Sequence, residues 1–224
     1  MLLQVKSAPF RRAHPAGRSA GLTAPTYSGN VISIESLLAA NPPRNGEYYT
    51  IAIDGRGASG KSNLATWLGS RLDGFAVVHG DDYFEPHDDS ITWGDFNEER
   101  LDTELLAPLR RAERTIAFRP YDFPNGRVGP EQTIRVERGL VFERWFALSL
   151  VVPWDLTVWV ETPQDVCLQR GLARDGAVAL GERARLAWET VWQPREAAYI
   201  QETRPLDQAG IVVEGTSAFE LQLR

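Results

Sequence analysis

The sequence predicts a doubly wound α/β domain, with a mostly parallel five-stranded sheet, helices on both faces and a small lid. Three observations predict it. Short apolar runs rich in Val, Ile and aromatic residues recur at 49–53, 75–79, 140–143, 156–161 and 210–213. They lack strict polar alternation, as parallel strands buried on both faces do. Helical segments at 61–72, 97–111, 163–174 and 183–200 fall between these runs, and alternation of this kind builds a parallel sheet with ligands at the carboxyl ends of its strands. The first strand also runs straight into Gly55-Arg56-Gly57-Ala58-Ser59-Gly60-Lys61-Ser62 and then into a helix, the context that a phosphate-binding loop requires.

Composition sets outer limits. The 224 residues suffice for one domain with a sizeable core, and 43% apolar with 24% charged residues is ordinary for a globular protein. A net charge of -6 argues against nucleic acid or an anionic membrane as partner, since either favours a basic face. One cysteine, Cys167, forms no internal disulfide, and three scattered histidines make no metal cluster. The most apolar stretch, 145–160, is short and interrupted by Pro153 and Asp155, so no membrane span is expected. A reducing cytoplasm is the expected compartment, and homo-oligomerisation stays open.

Residues 1–30 carry Lys6, Arg11, Arg12 and Arg18 without an acidic residue, among scattered Ser, Ala, Gly and Pro. They read as a flexible N-terminal tail, with an organelle transit peptide as the alternative. Residues 31–224 form the expected domain. A short helix at 32–40 ends before Pro42-Pro43, and the compact part begins near Tyr48.

The glycine-rich loop carries the clearest chemistry. Glycines let the backbone wrap a polyphosphate with its N–H groups turned inward, and the following helix presents the positive end of its dipole. Gly55, Gly57, Ala58, Ser59, Gly60, Lys61, Ser62 and Asn63 would therefore hold the nucleotide phosphates, with Lys61 on the β- and γ-phosphates and the Ser62 hydroxyl on Mg²⁺. The second strand ends in His79-Gly80-Asp81-Asp82-Tyr83-Phe84, where a carboxylate can accept a proton from an attacking hydroxyl. The alternative is an acidic surface turn. Glu143 closes the third strand as a candidate Mg²⁺ ligand, with Asp82 as a further one, or faces solvent. Thr162, Pro163 and Asp165 mark a helix start, and Arg170 and Arg174 lie four apart on that helix. They would stabilise transferring phosphoryl charge, or belong to a solvated face.

Several segments together resemble the uridine kinase and phosphoribulokinase-like branch of P-loop kinases. That family's G-x-x-x-S-G-K-[ST] is matched by Gly55 to Ser62; the first Asp of its D-S-F-Y falls on Asp81, with Asp82-Tyr83-Phe84 behind it, its P-x-Y-D-F corresponds to Arg119-Pro120-Tyr121-Asp122-Phe123 with Arg127 beyond, and its F-E-G to Phe142-Glu143-Arg144. An arginine-bearing lid helix corresponds to Arg170 and Arg174. The resemblance covers about residues 48–215. The histidine of the family's H-S-R has no counterpart between Tyr121 and Arg127, Arg144 replaces a glycine, and Asn63 stands where Thr is usual.

The resemblance implies a P-loop NTPase fold and an ATP- and Mg²⁺-dependent kinase acting on a hydroxyl of a small metabolite. Asp81 would be the catalytic base, Lys61, Arg170 and Arg174 would attend the transferring group, and Tyr83, Trp93, Asp95, Tyr121 and Arg127 would meet the acceptor. The acceptor class is left open among nucleosides, sugars, vitamin precursors and nucleoside monophosphates. Arg144 beside the metal position leaves a non-catalytic ATP-binding protein as the rival reading. No N-K-x-D element is present to read guanine.

Overall fold

The β-branched run before the glycine-rich loop becomes the central strand of a seven-stranded sheet. The computed structural model describes residues 3–7, 28–32, 34–40, 42–85, 95–177 and 182–216. Its sheet contains β1 (Leu3–Ser7), β2 (Ser28–Ile32), β3 (Tyr49–Gly55), β4 (Phe75–His79), β5 (Gly139–Glu143), β6 (Leu156–Glu161) and β7 (Ile211–Glu214), in the spatial order β2-β1-β7-β6-β3-β5-β4. The five strands from β3 to β7 pair in parallel, as the uninterrupted apolar runs predict.

β1 pairs antiparallel with β7 and with β2, so parts of the segment expected as a flexible tail extend the sheet instead. The outer edge of β7 offers unpaired backbone N–H and C=O groups, and a strand laid along it satisfies them. Five residues with only two apolar side chains each leave almost no trace in a segment dominated by Arg, Ser, Ala and Pro.

Period two along β3 sends Ile51 and Ile53 to one face and Ala52 to the other. On the first face, Ile51, Ile53, Val141, Val158 and Val160 pack against Leu64 and Leu68 of α2 (Lys61–Arg71) and Ile34 and Leu38 of α1 (Ile34–Ala40). On the second, Ala52, Val78, Leu140 and Phe142 pack against Leu101, Leu105 and Leu109. The helix bearing these leucines runs through Glu98–Leu101, a π-helical turn at Asp102–Leu106, and Ala107–Arg110. Asn97 caps it by accepting the Arg100 N–H at 2.8 Å. The helix after β6 spans Gln164–Ala177, and the last long helical stretch joins Glu182–Ala187, a π-helical turn at Trp188–Trp192, and Gln193–Thr203. Apolar periodicity located both broken helices but carries no signal for the extra residue in a π turn. No helix among the described residues is long and apolar enough to cross a membrane.

Asp54, the penultimate residue of β3, is fully buried and acts as a tie-point. Its Oδ1 accepts the N–H groups of Gly55 at 2.6 Å and Phe146 at 3.2 Å. Its Oδ2 accepts the Leu148 N–H at 3.0 Å and the Tyr199 hydroxyl at 2.5 Å. Burial pushes the Asp54 carboxyl above the usual range while these donors pull it back. Truncation to alanine strands four donors in a dry site, so Asp54→Ala should lower unfolding free energy by at least about 3 kcal/mol in a urea titration. A loss under about 1 kcal/mol would remove this carboxylate from its structural role.

Candidate active site

The phosphate loop turns out of β3 with its glycines where side chains do not fit. Gly60 has φ +105° and its carbonyl accepts the Leu64 N–H at 3.0 Å, starting α2 from a left-handed residue. A Cβ on Gly57 would stand 2.7 Å from the Trp188 ring and 3.0 Å from Glu196 Oε1. Lys61 folds back across the loop and donates to the Arg56 carbonyl at 2.8 Å. Thr162, expected as a helix cap, donates its hydroxyl to the Ser59 carbonyl at 3.0 Å and so braces the back of the loop against the end of β6. Gly55 and Ser59 belong to that back wall and do not line the cavity.

A cavity of about 1170 Å³ opens at the carboxyl ends of the central strands. Gly57, Ala58, Gly60, Lys61, Ser62 and Asn63 form its floor. Asp81 and Glu143 enter from β4 and β5, and Arg170 and Arg174 from the helix Gln164–Ala177. The structure therefore brings together the nucleotide-side residues expected from sequence, which are separated by more than 100 positions.

The carboxylates differ in their surroundings. Glu143 is buried, and its Oε1 accepts the Ser62 hydroxyl at 3.1 Å and lies 2.9 Å from His79 Nδ1. That contact raises the His79 pKa above its ordinary value against the opposing effect of burial. Asp81 is open to the cavity yet walled by protein. Desolvation, then the charge of Glu143, push its carboxyl up to about 6, against the pull of Lys61 and Arg174. A carboxylate in this range is matched to accepting a proton near neutral pH. Glu143 and Ser62 supply hard oxygen donors of the kind that hold Mg²⁺ together with substrate phosphates. Among the described residues no group of three His, Cys, Asp or Glu side chains is arranged to hold a metal by itself.

The two arginines do different things. Arg170 donates to the carbonyls of Gly215 at 2.7 Å and Thr216 at 3.0 Å, beyond the end of β7. Arg174 pairs with buried Asp175 at 2.6 Å and remains within electrostatic reach of Asp81 and Glu143. Asp175 also accepts the Trp188 indole N–H at 2.8 Å, so one carboxylate sets both the cation and the tryptophan beside the loop. Arg144 points away from Glu143, pairs with Glu98 and covers the Phe96 ring at 4.2 Å.

The residues expected to meet the acceptor are not gathered on the cavity wall. Tyr83 is fully buried, stacked on Phe118 and under Arg100, and it does not line the cavity. Asp95 is exposed and pairs with Arg195 at 3.3 Å. Tyr121 is buried edge-on behind Phe123 at 4.8 Å, and exposed Arg127 sits opposite Asp122 in a two-residue ribbon. Neither lines the cavity, and Asp82 does not either, its carbonyl instead accepting from Arg100 at 3.4 Å. Asp82, Tyr83 and Asp95 each lie next in sequence to a residue that does face inward, Asp81, Phe84 and Phe96, and the short turn and ribbon that decide which neighbour turns in are not legible as period-two strands. Trp93 lies outside the described residues.

The cavity instead presents Phe84, Phe96, Phe123, Pro124 and Trp145 on this side, with Trp188, Trp192 and Glu196 above the loop. Phe84 packs on Phe96 at 4.5 Å and on Phe123 at 5.9 Å. The spacing of Trp188, Trp192 and Glu196 by four was available as a signal, because a carboxylate within an aromatic helical stripe is unlike a core face.

No protein-family model matches the chain, and no curated protein matches it by sequence. Solved structures do. A possible uridine kinase from Bacillus stearothermophilus superposes with TM-score 0.59 at 19% identity, covering 80% of this chain and 94% of that one. A candidate fructose transport system kinase from Silicibacter sp. TM1040 superposes with TM-score 0.55 at 17% identity, covering 75% and 91%. Strand order, phosphate loop and these likenesses agree: the chain has the α/β P-loop fold of these two solved structures.

Proposed function

We propose that the protein is an ATP- and Mg²⁺-dependent kinase that phosphorylates a hydroxyl of a small, ring-bearing metabolite. One observation carries the reading: the Asp81 carboxylate opens into the same cavity as Lys61 and the Ser62–Glu143 pair. The solved structures of similar fold are named as kinases, which supports phosphoryl transfer as the reaction class.

The roles follow from position. The loop amides and Lys61 would hold the polyphosphate, and Lys61 would exchange its contact with the Arg56 carbonyl for phosphate oxygens. Ser62 and Glu143 would hold Mg²⁺, which when bound neutralises charge on the phosphate oxygens. Asp81 would take the acceptor hydroxyl's proton as the oxygen attacks the γ-phosphate. Arg174 would face the transferring group, fixed in place by Asp175. Arg170 lies closer to the Gly215 turn and would flank the nucleotide away from the reacting atoms.

The acceptor wall favours a flat ring. Phe84, Phe96, Phe123 and Trp145 offer apolar faces, whereas a site for free sugars or for a second phosphate needs many hydrogen-bond donors or cations there. Arg144, the sequence argument for an inactive protein, spends its charge on Glu98 and Phe96 and leaves Glu143 and Ser62 paired, which supports the catalytic reading.

Incubation with Mg²⁺-ATP and a panel of nucleosides, heterocyclic vitamin precursors and sugars, following ADP release, tests the proposal. Acceptor-dependent ADP is expected from a ring-bearing alcohol, and ATP binding without turnover on any acceptor would favour a regulatory protein. Asp81→Asn should reduce transfer by about 10²–10⁴-fold with ATP affinity nearly intact, and a variant that keeps most of its turnover would disqualify Asp81 as base. Lys61→Ala should weaken ATP binding and slow transfer by about 100-fold, and unchanged affinity would argue against its contact with phosphate.

A further inference from the structure

Glu196 is a carboxylate on the cavity wall that the transfer chemistry does not use. It lies on the helix Gln193–Thr203 and is only 2% exposed. Its Oε1 accepts the N–H of Gly57 at 2.5 Å. Its Oε2 makes no hydrogen bond among the described residues and stands 3.7 Å from Arg56 Nη1, which also makes none. With Lys61 turned onto the Arg56 carbonyl, the loop's cation and one of its amides are both engaged by groups of the chain itself.

A negative side chain is an unfavourable neighbour for a polyphosphate. In a cavity walled by protein the repulsion between them is weakly screened. Burial already holds the Glu196 carboxyl above its usual range, with Gly57, Lys61 and Arg56 opposing, so the position disfavours this charge even before a ligand arrives. The loop sequence is nonetheless fitted to it. Gly57 leaves open the space where a Cβ would meet both Glu196 and Trp188.

We infer that Glu196 sets nucleotide affinity: it is an internal anion that holds the Gly57 amide of the phosphate loop, and a polyphosphate binds against its charge. This rests on reading the loop as an ATP site. If Glu196 were only a prop for the loop, keeping its acceptor oxygen while removing its charge would leave affinity unchanged or lower it. The internal-anion role has the opposite sign.

Calorimetric titration of Mg²⁺-ATP into the wild type, Glu196→Gln and Glu196→Asp separates the two. Glu196→Gln should bind at least tenfold more tightly than wild type, and Glu196→Asp, which keeps the charge, no more tightly than wild type. Equal or weaker binding by Glu196→Gln, or the same tightening in Glu196→Asp, overturns the inference. Glu196→Met, uncharged and similar in length, makes the same comparison where the glutamine variant does not fold. A wild-type protein that binds no ATP at all overturns the phosphate-loop reading, and this inference with it.

Discussion

Everything around the cavity depends on one carboxylate that never sees water. Asp54 ends the central strand and gathers donors from three segments that are distant in sequence: Gly55 at the root of the phosphate loop, Phe146 and Leu148 after β5, and Tyr199 on the last long helix. A buried charge without these partners would cost several kcal/mol. The partners are therefore held, and each carries part of the site. Gly55 leads into Lys61 and Ser62, Phe146 follows Trp145 on the acceptor wall, and Tyr199 stands three residues from Glu196. The loop is braced from its other side by Thr162, so its backbone is held from both the β6 end and the helix bearing Glu196.

The π-helical turn Trp188–Trp192 packs by the same economy of space. The Trp188 indole is wedged between the loop and the helix Gln164–Ala177, where a Cβ on Gly171 would lie 2.2 Å from its ring. Its N–H reaches Asp175, which also anchors Arg174. Two glycines 114 positions apart thus admit one aromatic ring, and that ring's hydrogen bond goes to the carboxylate that also pairs with Arg174. Trp188 is thereby connected to Arg174 through the buried Asp175 carboxylate.

The sequence was most legible where chemistry and periodicity coincide. Buried parallel strands leave uninterrupted apolar runs, so β3 to β7 could be located, and strand ends followed by acids pointed to Asp81 and Glu143. The phosphate loop is legible because its glycines answer to backbone constraints rather than to packing. The acceptor side was not. Tyr83 and Phe84 are adjacent and both aromatic, yet one is core and the other cavity wall, and only the short turn at Gly80–Tyr83 decides between them. The strands β1 and β2 were hidden by composition, since backbone pairing to a sheet edge asks little of side chains.

Glu143 and Arg144 connect the two halves of the site. Consecutive residues at the end of an extended strand point to opposite sides, so Glu143 reaches Ser62 while Arg144 reaches Glu98 and Phe96. The Arg144 N–H still bonds the Ile53 carbonyl at 3.1 Å, which keeps this junction in register with the central strand. Its guanidinium is almost fully buried, and a cation so placed is stable only while both the Glu98 carboxylate and the Phe96 ring face remain against it. That requirement holds Phe96 as a wall of the cavity and ties the start of the helix at Glu98 to the strand that bears Glu143. A glycine at 144 would leave Phe96 without this support. The bulky arginine is therefore best understood as part of the frame that shapes the aromatic wall of the cavity, on the opposite side of the strand from the Glu143–Ser62 contact.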